Sequence, residues 1–293
     1  MIRAVVTDMD NTLYSWVDYI VPCIEAMVDS LCRTTGFPRV RVVQALKEVY
    51  ERYESNEYPF AIQESRLYQE FNYDFASFDH LVIGPAREAF ASARRRYLRP
   101  YRHVVETLEK LKAAKIPVVA LTDAPRNPAE RRVRAMKLDE HLAGLYSLPA
   151  FPFPETGVAR EIAEREKAGG VKLACPVVEL PRDHEKPDPR GLSRICSDLG
   201  VEANEVLLVG DSLTKDVALA QASGALDVWA EYGTYVSVEY RERLAVISAA
   251  SATRRHLQHS SKGQSRAPTA RISAFDQVLK LAVEGPSRAT AVA

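Results

Sequence analysis

From residue 101 onward, helix-period segments and short apolar runs take turns, and this rhythm restricts the fold more than any other feature of the chain. Val104, Leu108 and Leu111 recur at helical spacing, followed by an apolar run over 116–121 that reads as a strand. A helix around 130–136 and a short strand over 145–148 come next, then a strand at 177–180. Asp188 suits a helix N-cap, Pro189 suits the first helical position, and Gly200 ends that helix. A near-continuous apolar strand over 206–209, a helix over 217–222 and a strand over 226–229 complete the series. Strands joined through helices cannot pair as tight hairpins, so the pattern predicts a doubly wound, mainly parallel α/β sheet covered on both faces.

The N-terminal third is different. Ile2, Ala4, Val5 and Val6 form a Val-rich run expected to be a buried strand. The stretch from about 16 to 97 then reads as helices, with Ile20, Ile24, Met27, Val28 and Leu31 at helical spacing, continued by Val40, Val43, Leu46 and Val49. Leu81, Ala86, Ala89 and Phe90 suggest a further helix before Pro100. Tyr50, Tyr53, Tyr58, Phe60, Tyr68, Phe71, Tyr73, Phe75 and Phe78 make this block rich in aromatic residues, which are expected to form its core, several of them alternatively lining a substrate cavity. The expected organisation is an α/β core over 1–15 and 100–293 with a helical domain over 16–99 inserted after the first strand. Residues 149–185 interrupt the rhythm with five prolines, a helix-like piece over 159–167 and a Gly169-Gly170 stop. Residues 248–271 read as a loose surface connection, and 272–283 as a closing helix.

Charge is balanced, with 39 basic and 39 acidic residues, which favours neither nucleic acid nor an anionic membrane as partner. The run Arg94-Arg95-Arg96 is expected on a solvated helix face. Cys23, Cys32, Cys175 and Cys196 form no C-x-x-C pair and read as reduced thiols. The chain starts a strand at once, shows no signal peptide, and has no apolar stretch approaching the ~20 residues that span a bilayer. A soluble cytoplasmic protein is expected.

Four short motifs sit where ligands bind in such sheets, at strand carboxyl ends. The first is Asp8-Met9-Asp10-Asn11-Thr12, which ends the first strand. Residues i and i+2 of a strand point the same way, so Asp8 and Asp10 converge on one small volume. Their repulsion calls for a divalent cation, a shared proton or a covalent role, unless they merely cap the next helix. The others are Thr122-Asp123 after 116–121, Lys186-Pro187 before a predicted helix, and Gly210-Asp211 after 206–209 with Asp216 beyond. Each alone is ordinary turn or capping chemistry; their order and placement carry the signal.

In these four motifs the sequence resembles the haloacid dehalogenase-like (HAD) hydrolase superfamily, over residues 2 to about 229, in its phosphatase type with a helical C1 cap. The resemblance implies a Rossmann-like HAD fold with the cap inserted after the first strand. It implies Asp8 as nucleophile, forming an aspartyl-phosphate, and Asp10 as general acid/base. Thr122, Lys186 and the backbone amides around Asn11 and Asp123 would hold the phosphate. Mg²⁺ would bind Asp8, the Asp10 backbone carbonyl and Asp211, with Asp216 either a further ligand or a support for one. Ser212 is as well explained by a helix cap. Members that dehalogenate lack the second carboxylate, so Asp10 favours phosphate esters. Asn11-Thr12-Leu13-Tyr14 resembles the start of members acting on nucleotides and small metabolites. The expected function is a Mg²⁺-dependent phosphatase whose partner is a small-molecule phosphate ester; a non-catalytic binding or regulatory protein and a phosphomutase are the alternatives.

Overall fold

The structure, a computed structural model, describes residues 1–71, 74–152, 171–249 and 267–285. Its strands are β1 (Ala4–Thr7), β2 (Val118–Pro125), β3 (Gly144–Leu148), β4 (Val177–Glu179), β5 (Val206–Gly210), β6 (Leu226–Ala230) and β7 (Ala270–Ile272). They form one sheet in the order β4-β3-β2-β1-β5-β6-β7 with every pairing parallel. The alternation of a strand sorts its side chains between two cores. Val5, Val118, Ala120, Leu207 and Val209 join one, which includes Val104 and Leu108 of α6 (Val104–Ala113) and Ala129 and Val133 of α7 (Arg126–Ala135). Ala4, Val6, Val119, Leu121 and Leu208 join the other, against Leu192 and Ile195 of α8 (Arg190–Leu199) and Leu219 of α9 (Ala218–Ser223). The chain leaves β1 for β2, β3 and β4 on one side, then returns to β5 on the other. The order therefore reverses beside β1, and its carboxyl end faces the crevice where such sheets bind ligands.

Between β1 and α6 lie α1 (Trp16–Thr35), α2 (Arg39–Arg52), α3 (Arg66–Glu70), α4 (Phe75–Phe78) and α5 (Gly84–Tyr97). Helix α1 begins where the Ser15 side chain accepts from the Asp18 amide at 3.2 Å and ends at Gly36, in the left-handed region at φ 73°. Ile20, Ile24, Met27, Val28 and Leu31 are buried as their spacing predicts. Tyr50, Tyr58, Phe60 and Phe78 are buried, Tyr53 stacks on Tyr58, and Phe71 and Tyr68 tilt against Phe78, so the aromatic set forms a core. Tyr73 and the side chain of Phe75 lie outside the described residues.

Three expectations need correction. The stretch 272–283 is not one helix: residues 270–272 form β7 beside β6, and helix α11 (Gln277–Glu284) follows. The connection over 248–271 is thus ordered at its end, where Asp227 accepts from the Thr269 amide and hydroxyl at 2.7 and 2.6 Å and holds the short strand in place. Strand β2 runs on to Pro125, with a register shift after Thr122, rather than stopping at 121. Helix α10 (Val238–Ile247), absent from the sequence reading, lies against α1 and α2: Arg243 clamps Glu25 at 2.6 and 3.1 Å, and Lys47 donates to the carbonyls of Ala245 and Val246. The helix-like piece over 159–167 and its glycine stop fall outside the described residues, as do residues 250–266 of the connection. No helix among the described residues is long and apolar enough to cross a membrane. All four cysteines are free thiols.

Candidate active site

Parallel pairing brings the ends of β1, β2 and β5 side by side, and the charged residues collect there. Asp8 follows β1, its amide donating to the Val209 carbonyl of β5 at 2.9 Å. Lys186 enters from the loop before α8. Its Nζ donates to Asp8 Oδ1 at 2.5 Å, to Asp216 Oδ1 at 2.7 Å and to the Leu121 carbonyl at 3.4 Å. Asp211 follows β5, and Asp216 sits in the turn of helix preceding α9, its Oδ2 accepting from the Ser212 amide at 3.0 Å. Two glycines make room for this packing. A Cβ at Gly210 would land on the Asp216 carboxylate; one at Gly233 would strike the Asn11 carbonyl and come within 2.9 Å of the Asp211 Cβ. Asn11 turns the chain in the left-handed region at φ 60°, with its side chain accepting from the Trp16 amide.

Burial pushes the Asp8 carboxyl up to about 7; Lys186 opposes this, and Asp216 and Asp10 add to it. Asp211 is raised well above the carboxylate range, again by burial first and then by Asp8 and Asp216. Burial works against the Lys186 charge, but Asp216, Asp8 and Asp123 outweigh it and hold the ammonium protonated. One cation therefore faces three carboxylates, and the excess negative charge is what a divalent ion neutralises. The carboxylate oxygens of Asp8, Asp211 and Asp216 lie within 4.8 Å of one another, all three residues buried. An all-oxygen acidic set of this size fits Mg²⁺. The Asp10 carboxylate is not in this group, so its expected part in metal binding rests on its backbone carbonyl.

Asp10 belongs to a second cluster. Its Oδ1 accepts from the Tyr14 hydroxyl and lies 3.5 Å from Nη1 of Arg132 on α7. The same Nη1 donates to Glu57 Oε1 at 2.7 Å, and the Trp16 indole reaches Glu57 Oε2 at 3.4 Å. Glu57 lies between α2 and α3, so the helical insert supplies a charge to the site. Thr122 is buried beside Lys186's loop, its hydroxyl accepting from the Ala124 amide at 3.1 Å. The Asp123 side chain accepts from the Lys186 amide at 3.0 Å and from Lys215 Nζ at 2.7 Å, which fastens the Lys186 loop. The Ser212 hydroxyl accepts from the Lys215 amide at 3.2 Å and is a helix cap.

The four predicted motifs are thus brought together. Sequence reading missed Arg132, Glu57, Lys215 and Gly233, and named Tyr14 only within the Asn11-Thr12-Leu13-Tyr14 motif, without its contact to Asp10. A signal existed for Arg132: it falls on the turn between Ala129 and Val133, the buried face of α7, where an arginine calls for explanation.

The family model described as haloacid dehalogenase-like hydrolase matches residues 2–224. The chain is 28% identical over 247 residues to the glyceraldehyde 3-phosphate phosphatase of Methanopyrus kandleri, covering 82% of this chain and 89% of that protein. Its fold is similar to the crystal structure of 2-haloacid dehalogenase from Pseudomonas syringae pv. Tomato DC3000, with TM-score 0.58 and 20% identity over 97% of this chain and 99% of that one. It is also similar to the HAD-hydrolase YfnB of Bacillus subtilis, solved bound to magnesium, with TM-score 0.51 and 12% identity over 96% and 99% of the two chains.

Proposed function

The chain belongs to the haloacid dehalogenase-like hydrolases, and from that premise we propose that it is a Mg²⁺-dependent phosphatase of a small phosphorylated metabolite. The observation that carries this reading is the buried Lys186 ammonium shared between Asp8 and Asp216, with a second carboxylate two residues beyond Asp8. Asp8 attacks phosphorus in line with the leaving oxygen, forming an acyl phosphate on its own carboxylate. Lys186 lowers the charge on the nucleophile and on the phosphoryl oxygens as they approach each other. Asp10 gives its proton to the leaving alkoxide and then takes one from the water that releases phosphate. A halide leaves without a proton, so the acid two residues from the nucleophile favours esters over halides.

Asp8, Asp211, Asp216 and the Asp10 carbonyl are the groups that would hold Mg²⁺, which supplies charge neutralisation at the phosphoryl group when bound. The backbone around Asn11 and Asp123, with Thr122, lines the position of the phosphoryl oxygens. Residues 16–99 serve as a cap that excludes water and selects the leaving group. The Methanopyrus relative, named for its action on a triose phosphate, supports a small substrate. The four free thiols fit a reducing, cytoplasmic setting.

The test is hydrolysis of p-nitrophenyl phosphate. Asp8→Asn should abolish turnover without lowering the melting temperature, because it removes a buried carboxyl whose charged form is disfavoured. EDTA should remove wild-type activity and Mg²⁺ restore it. Turnover retained by the variant would refute the mechanism.

A further inference from the structure

We propose that Arg132 is the positioning residue for the Asp10 carboxylate, and that Glu57 of the helical insert fixes Arg132 in that role. The inference rests on Asp10 being the acid/base of the reaction above.

The Arg132 side chain is 1% exposed. Burying a guanidinium is costly, and an apolar side chain beside Ala129 and Val133 would pack α7 at lower cost. The charge is there for its partners, which are few. Nη1 alone faces both carboxylates, at 2.7 Å from Glu57 and 3.5 Å from Asp10, while Nε and Nη2 find no acceptor among the described residues. The guanidinium carbon stands 5.8 Å from the centre of the Tyr14 ring, and the Tyr14 hydroxyl donates to the same Asp10 Oδ1 that faces Nη1. Two groups therefore address one oxygen of Asp10.

With Oδ1 held, the carboxylate is fixed in rotation and Oδ2 is the oxygen presented for proton transfer. As the Asp8–phosphorus bond forms and the phosphorus–oxygen bond breaks, the proton on Oδ2 passes to the leaving alkoxide. In the second step Oδ2 accepts a proton from the attacking water. Arg132 touches neither; it sets the direction of the transfer. Glu57 comes from the insert and Arg132 from the core, so the orientation of Oδ2 depends on the insert being seated.

The experiment compares wild type, Arg132→Met, Arg132→Lys and Glu57→Gln, each with Mg²⁺, on p-nitrophenyl phosphate and on a simple alkyl phosphate. p-Nitrophenolate leaves without a proton; an alkoxide does not. In Arg132→Met, single-turnover cleavage of the alkyl ester should fall by about 10²-fold or more with KM nearly unchanged, while the p-nitrophenolate burst stays within about threefold of wild type. Arg132→Lys should recover part of the loss, and Glu57→Gln should show the same asymmetry more weakly. Glu57→Gln is isosteric and does not touch Asp10, so it decides the matter even where Arg132→Met folds poorly. Equal losses on both esters, a change confined to KM, or wild-type rates in Glu57→Gln would overturn the proposal while leaving the phosphatase reading intact. A wild-type protein that cleaves neither ester would overturn both.

Discussion

Two charged clusters meet at the end of β1, and they are assembled by different means. Asp8 and Asp211 follow the paired strands β1 and β5, so sheet register brings them together; Asp216 joins from the helical turn after β5, and Lys186 from the loop before α8, fastened to the end of β2 through Asp123. Asp10, Tyr14, Arg132 and Glu57 come from a loop, a helix face and an irregular segment of the insert, and only tertiary packing unites them. The first cluster sets three carboxylates against one ammonium, a donor set that fits a divalent cation. The second already contains its cation and is closed on itself. One is built to receive a ligand, the other to hold a side chain still.

Four substitutions or conditions separate the two, beginning with the largest effect. Lys186→Met should lower kcat by about 10³-fold or more, since it removes the ammonium that contacts Asp8, the proposed nucleophile. Steady-state kinetics at saturating Mg²⁺ measures this, and a tenth of wild-type activity remaining would show that the first cluster does not drive the reaction. Glu57→Ala leaves Arg132 with one distant carboxylate and should reduce unfolding free energy by about 3 kcal/mol, read by urea denaturation. The stabilisation produced by added Mg²⁺ should survive in that variant; its loss would join the clusters into one.

The third test is pH. Asp8 is held near 7 in the folded protein against an ordinary value of 3.8, so the folded state keeps a proton that the unfolded chain gives up. Without metal, stability should fall as pH rises from about 4 to about 7, and the raised Asp211 carboxyl adds to the same fall. Mg²⁺ binds the ionised form, so the melting-temperature increase it causes should grow across that interval; an increase independent of pH would contradict the assignment. Smallest of all, Ser212→Ala should cost about 1 kcal/mol by loss of the cap, with activity within about twofold of wild type. A large loss of activity would move Ser212 from the helix end into the site.

The difference in assembly also explains what could be read from the chain. Strand ends are marked locally, by apolar runs such as 206–209 giving way to Gly210 and Asp211, and parallel pairing turns those marks into neighbours. The doubly wound sheet, the helical insert and the four motifs were therefore legible. Arg132 was hidden among Arg126, Arg131 and Arg134, since helical periodicity gives a face but not the partner opposite it. Glu57 lies in a segment without periodicity. Strand β7 has three residues, too few for alternation to register, and depends on Asp227 some forty residues away. Helix α10 was missed because only Leu244 and Ile247 on it are buried, too sparse a stripe to mark a helix.

That last helix bears on how such a protein can be re-engineered. Arg243 grips Glu25, Lys47 closes on the end of α10, and the Asn56 amide donates to the Ser248 hydroxyl at 2.7 Å. The inserted region is thus fastened by chain that emerges after β6, well over a hundred residues downstream. A graft that moves residues 16–99 alone onto another core leaves those groups without their counterparts. The transferable unit is discontinuous, and a chimera meant to exchange specificity has to carry residues 238–249 along with the insert.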